Sequence, residues 1–288
     1  NPDVVHIFGT ETMNSNVLEK IAGKDRTLVS ITGLVSLCEK HFFGGISTEM
    51  RSMTTIRDIL RGSIFADYRK IKKNARIEID TLRNCQYVTG RTDWDRACTL
   101  LTNPDIHYFF CNENLRDAFY CNSWSYEKCE KHSIFSSSSA SPLKGAHQII
   151  EALPIILRHY PDTKLYLTGN DPRESSGLVH RLKRTGYQKY LCKLLDKYEI
   201  NDAVVFTGFL NEQQMAERCA KSNAYVLPSC IEDSPNSLCE AMLMGVPSVA
   251  SDVGGVPSLL ESGKDGFLYP FDEPYMLAYR VMQLFSDE

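Results

Sequence analysis

At 288 residues the chain is too long for one small core and reads as two domains of ordinary size, since single cores stop growing near ~250 to 300 residues. Its 43% hydrophobic and 24% charged residues are those of a globular protein, which excludes a disordered or fibrous chain. A net charge of -4 gives no global attraction for nucleic acid, and that class of partner is not expected.

In chain order, 3–8 ("DVVHIF"), 27–32 ("TLVSIT"), 86–89 ("QYVT") and 105–110 ("DIHYFF") read as strands with helical patterns between them. The alternation is cleaner further on: strands at 133–138, 163–168, 203–207, 224–228 and 247–251, helices at 145–159, 177–196, 211–221 and 236–244. Strands rich in Val, Leu and Ile that alternate with amphipathic helices predict parallel sheets covered on both faces. The expected fold class is therefore α/β, with two Rossmann-like, doubly wound parallel-sheet domains spanning 1–130 and 131–288. The serine run in "IFSSSSASPLKG" falls where the second domain's first strand belongs, so the interdomain connection is expected upstream, around Cys121 to His132.

Ten cysteines are scattered without any C-x-x-C pair, a pattern of reduced, packed thiols in a cytoplasmic protein rather than a disulfide framework. No run approaches the ~18 apolar residues of a membrane helix. The opening "NPDVVHIFG" lacks an initiator methionine, and a fragment truncated at both ends is expected.

In doubly wound sheets ligands bind beyond the carboxyl ends of the strands. There, "SCIEDSPNSLCEAM" places Glu232 before a helix start and Glu240 on its early turns, with Asn236 as N-cap. Free amides at that helix start favour an anion, with phosphate the usual occupant. Two flanking carboxylates suit hydroxyl groups, one on a ribose and one on a sugar; the plain alternative is a solvated helix start with two surface glutamates. Lys144, at the head of another helix, is placed to meet the same phosphates. Gly254-Gly255 allows close backbone approach to the crevice.

The run "SPLKG...TGND...VVFTGFL...PSCIEDSPNSLCEAMLMGVPSVASDVGGVPSLL...DGFLYP" resembles the nucleotide-sugar domain of group 1 (family 4) retaining glycosyltransferases, which have the two-Rossmann GT-B fold. The resemblance is strong over about residues 130–288 and looser before that. It implies a retaining, metal-independent enzyme that needs no cofactor beyond its donor, a nucleotide-diphosphate sugar. The sugar would pass to a glycan, lipid-linked or other hydroxyl acceptor in cell-surface polysaccharide or glycoconjugate synthesis. By the same resemblance Glu240 binds the ribose, Glu232 engages the transferred sugar with backbone groups near Asp233, Ser234 and Asn236, and Lys144 binds the diphosphate. Ser237 and Leu238 offer amides to the terminal phosphate, and the base lies near Gly169 and the turn Gly208, Phe209, Leu210.

Two family features are replaced. An arginine five residues before the lysine is Ser139 here, and a first-domain histidine is Thr32, beside Gly33. Arg91, in "VTGRTDWD", is the candidate replacement cation from the first domain. These departures keep open a catalytically weak nucleotide-sugar-binding protein, and the glutamate pair keeps open a carbohydrate hydrolase.

Three further patterns are weighed. "DWD" at Asp93 to Asp95 imitates a metal-binding Asp-x-Asp but reads better as a helix N-cap. "CEKH" occurs at Cys38 to His41 and at Cys129 to His132, two pairs that would complete a zinc site only if they met. Residues 51–76 carry eight cations against two acids and read as one helix with an apolar stripe. Its basic face is either a solvated surface or a peripheral contact with the anionic inner face of a membrane.

Overall fold

The computed structural model describes residues 2–137, 139, 141–174 and 184–286. Two parallel sheets form the framework. The first holds β1 (Val5–Phe8), β2 (Thr27–Ser30), β3 (Tyr87–Gly90) and β4 (His107–Phe110), side by side in chain order. Its helices are α1 (Met13–Ala22), α2 (Val35–His41), α3 (Thr48–Ser52), α4 (Ile56–Arg61), α5 (Ile64–Asn84), α6 (Asp93–Thr102) and α7 (Asp117–Tyr120). Ile7, Val29 and Val88 from the strands bury against Leu34, Leu82 and Ile106.

The second sheet holds β5 (Glu130–Ser136), β6 (Lys164–Leu167), β7 (Val204–Phe206), β8 (Ser222–Leu227), β9 (Ser248–Ser251) and β10 (Phe267–Tyr269) in the order β10-β9-β8-β5-β6-β7. It is covered by α8 (Ala146–His159), α9 (Gly186–Lys197), α10 (Glu212–Ala220), α11 (Asn236–Leu243) and α12 (Pro274–Ser286). Every residue of β8 is buried, as a central strand covered on both faces requires. The winding reverses between β5 and β8. The carboxyl ends of those two strands are therefore the switch point at which such sheets bind ligands. The loops that leave them carry Lys144 and Glu232. Over its four described strands the first sheet winds one way only, so double winding is seen in the second sheet alone.

Two expectations change. Residues 51–76 are not one helix: Thr55 starts α4 with a capping box closed by Asp58, and Gly62, at φ 98°, ends it before Ser63 opens α5. The first strand of the second sheet runs 130–136, so it starts earlier than 133 and stops before Ser139. Of the helix expected at 177–196, residues 177–183 lie outside the described residues, and the described part forms α9, Gly186–Lys197. Part of the first half is also built into the second half's core. Ile46 and Met50 bury in the same cluster as Ile149, Tyr187 and Leu191, and Gly186 donates its amide to Asp58 at 2.9 Å.

Candidate functional site

The crevice is assembled by contacts between distant stretches of chain. Lys144 closes a 3-10 turn, Pro142–Lys144, and Gly145 follows at φ 70°. A β-carbon on Gly145 would lie 1.7 Å from the Pro228 carbonyl oxygen, so only glycine lets this turn press against the end of β8. Cys230 then donates its amide to Leu143 at 2.9 Å. With the two loops laced together, Lys144 Nζ sits 2.6 Å from Glu232 Oε1, joining residues that are 88 apart in sequence.

Glu240, on α11, is buried, and both its oxygens are taken. Arg116 donates from Nε and Nη2 at 2.7 Å each. The glutamate raises the Arg116 pKa first of all, while burial opposes that shift. Sequence reasoning overlooked Arg116, which sits in the unremarkable stretch "NLRDAFY". Each glutamate is thus paired with a cation. A hydrolase's general-acid carboxyl needs the opposite, an apolar setting that keeps its proton.

The remaining loop residues face the first half. Arg91 is buried and donates to Asn236 Oδ1 at 2.6 Å and to the Ser234 carbonyl at 3.1 Å; its Nε is buried with no partner among the described residues. Thr92 donates to Asp233 Oδ1 at 3.1 Å. Asp233 is thus buried against the first half, and its pKa is raised, chiefly by burial and then by the negative charge of Asp95. Gly254 and Gly255 serve this same contact: a β-carbon on Gly255 would lie 2.1 Å from the Asp233 carbonyl oxygen and 2.7 Å from Thr92.

Local chemistry corrects several expected roles. Pro235, not Asn236, is the N-cap of α11, because the Asn236 side chain is drawn to Arg91. Leu238 buries its side chain and donates its amide to the Pro235 carbonyl at 3.0 Å, so it has no amide free for a phosphate. Ser237 contributes to holding the buried Tyr225 hydroxyl, which Ser137 also contacts at 2.8 Å. Ser139 is buried, with its hydroxyl donated to the Thr168 carbonyl at 2.8 Å. Gly169 and Gly208 exchange backbone hydrogen bonds at 2.9 and 3.1 Å, which brings both base-site candidates together beside Ser139. Phe209 is 79% exposed there, while Leu210 packs inward on the core.

Thr32 and Gly33 follow β2. Thr32 lies near Gly9 and Glu11, and among the described residues neither Thr32 nor Gly33 bonds to the Glu232 loop. Their loop leads into α2, where buried Glu78 accepts from the amides of Val35 at 2.8 Å and Ser36 at 2.9 Å and from the Thr10 hydroxyl at 3.0 Å.

The decoy motifs resolve structurally. Thr92, not Asp93, is the N-cap of α6, and Asp95 completes its capping box. The two "CEKH" copies lie on α2 and at the start of β5, and among the described residues no cluster suited to a metal ion occurs. All ten cysteines are free; burial pushes Cys85, Cys219 and Cys230 up to about 12, but Cys111 and Cys121 are exposed rather than packed.

Comparison with known proteins adds identity to this geometry. The putative colanic acid biosynthesis glycosyltransferase WcaL of Salmonella typhimurium is 28% identical over 119 residues, covering 38% of this chain and 29% of that protein. N-acetyl-alpha-D-glucosaminyl L-malate synthase of Bacillus anthracis is 28% identical over 151 residues, covering 52% and 35%. The matched stretch thus spans about a third of these relatives' length. Among solved structures, sucrose-phosphate synthase from Thermosynechococcus elongatus superposes with a TM-score of 0.69 at 19% identity, over 99% of this chain and 65% of that one. HepE of Anabaena, solved with UDP and glucose, gives 0.61 at 18%, over 98% and 90%. These likenesses and the two parallel sheets establish the GT-B fold. The family model of the group 1 glycosyl transferases matches residues 124–288, more than half of the sequence, and the chain belongs to that family.

Proposed function

We propose that the protein is a retaining glycosyltransferase that takes a sugar from a nucleotide-diphosphate donor and passes it to a hydroxyl acceptor. The observation that carries this reading is the Lys144–Glu232 pair at the reversal of the second sheet, 2.6 Å apart beside the start of α11. In the resting site the two neutralise each other. A donor diphosphate would draw the lysine to itself and release the glutamate to accept from sugar hydroxyls. Glu240 would accept from the ribose, and Phe209 offers an open ring beside the Gly169–Gly208 bridge for stacking the base.

As the C1–O bond to the diphosphate breaks, negative charge grows on the leaving oxygen. Lys144 and the Ser237 amide, which has no backbone partner among the described residues, stabilise it there without a metal ion; losing one such donor costs ~3–4 kcal/mol of barrier. The acceptor hydroxyl attacks C1 on the face the phosphate leaves, so configuration is retained. Its proton passes to the departing phosphate oxygen. Incubation with nucleotide sugars, followed by NMR assignment of the transferred or released sugar's anomer, tests this. Retention that disappears with Glu232→Ala supports it, and inversion rules it out.

A second reading, a nucleotide-sugar-binding protein with weak turnover, is favoured by one observation. The position of the family's first diphosphate cation is Ser139, whose hydroxyl is committed to the Thr168 carbonyl. Binding without turnover in the same assay would select it.

The localisation reading, a cytoplasmic protein peripheral to the inner membrane face, gains a narrower basis. No helix among the described residues is long and apolar enough to cross a membrane. On α4, however, Ile59 and Leu60 are 74% and 78% exposed between Arg57 and Arg61, the composition of a helix that lies in a lipid interface. Flotation with anionic vesicles that persists in Leu60→Gln would remove that basis.

A further inference from the structure

A cavity of about 380 Å³ lies outside the donor crevice, between α2, α5 and α6. That volume falls in the range of small-molecule sites. Leu34, Leu37, Ala75, Ile79, Leu82 and Cys98 make an apolar lining, and Lys40, Lys72 and Arg76 stand at its rim. Among the described residues none of these three cations has an acid within ion-pair distance. The Glu39 carboxylate also borders the cavity, but it accepts from the Tyr68 hydroxyl at 2.6 Å.

The lining is polarised along its length. The Glu39–Tyr68 bond at one end and the Ser36–Glu78 bond at the other set α2 and α5 antiparallel. Passing along α5 from Tyr68 toward Asn84, the lining residues run Lys72, Arg76, Ile79, Leu82; on α2 they run from Lys40 back to Leu34. One end is therefore cationic, and the other is apolar apart from Ser36, whose hydroxyl is donated to Glu78 at 2.5 Å.

We propose that this cavity binds a single-chain anionic amphiphile, its apolar chain lying among Leu34, Ile79 and Leu82 and its phosphate or carboxylate head held by Lys40, Lys72 and Arg76. The binding stands independently of the transferase reading; only the further step, that such a ligand presents the acceptor, rests on it.

The test is calorimetric titration of the intact protein with octyl and decyl phosphate below their micellar concentrations, alongside inorganic phosphate, decanoate and decyl maltoside. Affinity should rise about fourfold per added methylene, from the free energy of burying one CH₂ group. It should fall about fivefold for each cation removed in Lys72→Gln and Arg76→Gln, both exposed positions at which folding is not at stake. Decanoate matching decyl phosphate would identify the shared anionic head rather than phosphate as the recognised group. Equal binding of decyl maltoside, no dependence on chain length, or no effect of the two substitutions would overturn the proposal. UDP affinity measured on the same variants stays at the wild-type value if the two sites are separate, so failure here is distinguishable from failure of the donor-site reading.

Discussion

Arg116 and Glu240 form a two-pronged ion pair, with both carboxylate oxygens 2.7 Å from the guanidinium, at the position expected to receive a donor's ribose. Arg116 is 42% exposed while Glu240 is buried, so the pair is partly screened and the glutamate is the member that needs a partner. Any ribose must share or take over one of these oxygens.

Replacing the arginine makes that competition measurable. Arg116→Ala leaves a buried carboxylate without its donors and should destabilise the protein by about 1–3 kcal/mol. Ribose hydroxyls would refill the vacated oxygens, so UDP should raise the melting temperature more in the variant than in wild type. Thermal melts with and without UDP check this, and an equal or smaller shift in the variant would place the ribose elsewhere.

Arg91 ties the Glu232 loop to the first half through Asn236 and the Ser234 carbonyl. Arg91→Ala should lower donor affinity at least as much as it lowers stability, because the loop that carries Glu232 loses its outer anchor. Hydrogen bonds from a charged group contribute ~1.5–3 kcal/mol, so about a tenfold or greater loss of nucleotide affinity is expected by calorimetry. Lys in place of Arg91 cannot reproduce two divergent bonds and should rescue little.

Asp233 makes the same contact sensitive to pH. Burial and neighbouring Asp95 raise its pKa in the folded protein above the unfolded value. The stability this adds is fully present below the ordinary carboxylate pKa and is lost as pH rises through the raised, folded value. Denaturant melts across pH should therefore show stability falling with rising pH in that window, and Asp233→Asn should flatten the slope. An unchanged slope in the variant would assign the dependence to another group.

Gly145 is the hinge of the Lys144 turn. Alanine there adds a strained left-handed conformation and a clash with the Pro228 carbonyl. Gly145→Ala should cost at least ~1–3 kcal/mol and shift Lys144 out of reach of Glu232, seen as a lower melting temperature together with weakened nucleotide binding.

Much of this architecture was legible along the chain because it depends on local periodicity. The strands at 27–30, 164–167 and 204–206 and the helix at 236–243 sit where alternation and spacing predicted them. The Lys144 and Glu232 loops followed from the rule that binding loops leave the carboxyl ends of strands. Contacts that depend on tertiary approach were not legible. Arg116 meets Glu240 across 124 residues, and no local pattern in its neighbourhood announces a partner. The Thr92–Asp95 capping box was readable from its spacing, yet its link to Asp233 arises only when the two sheets pack together. The stretch 51–76 misled because an apolar residue every three or four positions fits one long helix as well as it fits the end of α3, the short α4 and the start of the long α5. Gly62 and the Thr55–Asp58 box were the local signals that it breaks.

The central claim, that Lys144 and Glu232 mark a nucleotide-diphosphate sugar site, is tested most directly by calorimetric titration of the intact protein with UDP, GDP and ADP, repeated on Lys144→Ala. One of the three nucleotides should bind saturably, and loss of the charge-assisted contact should weaken it by about ten- to a hundredfold. Binding of none of them, or equal binding by the variant, would contradict the account.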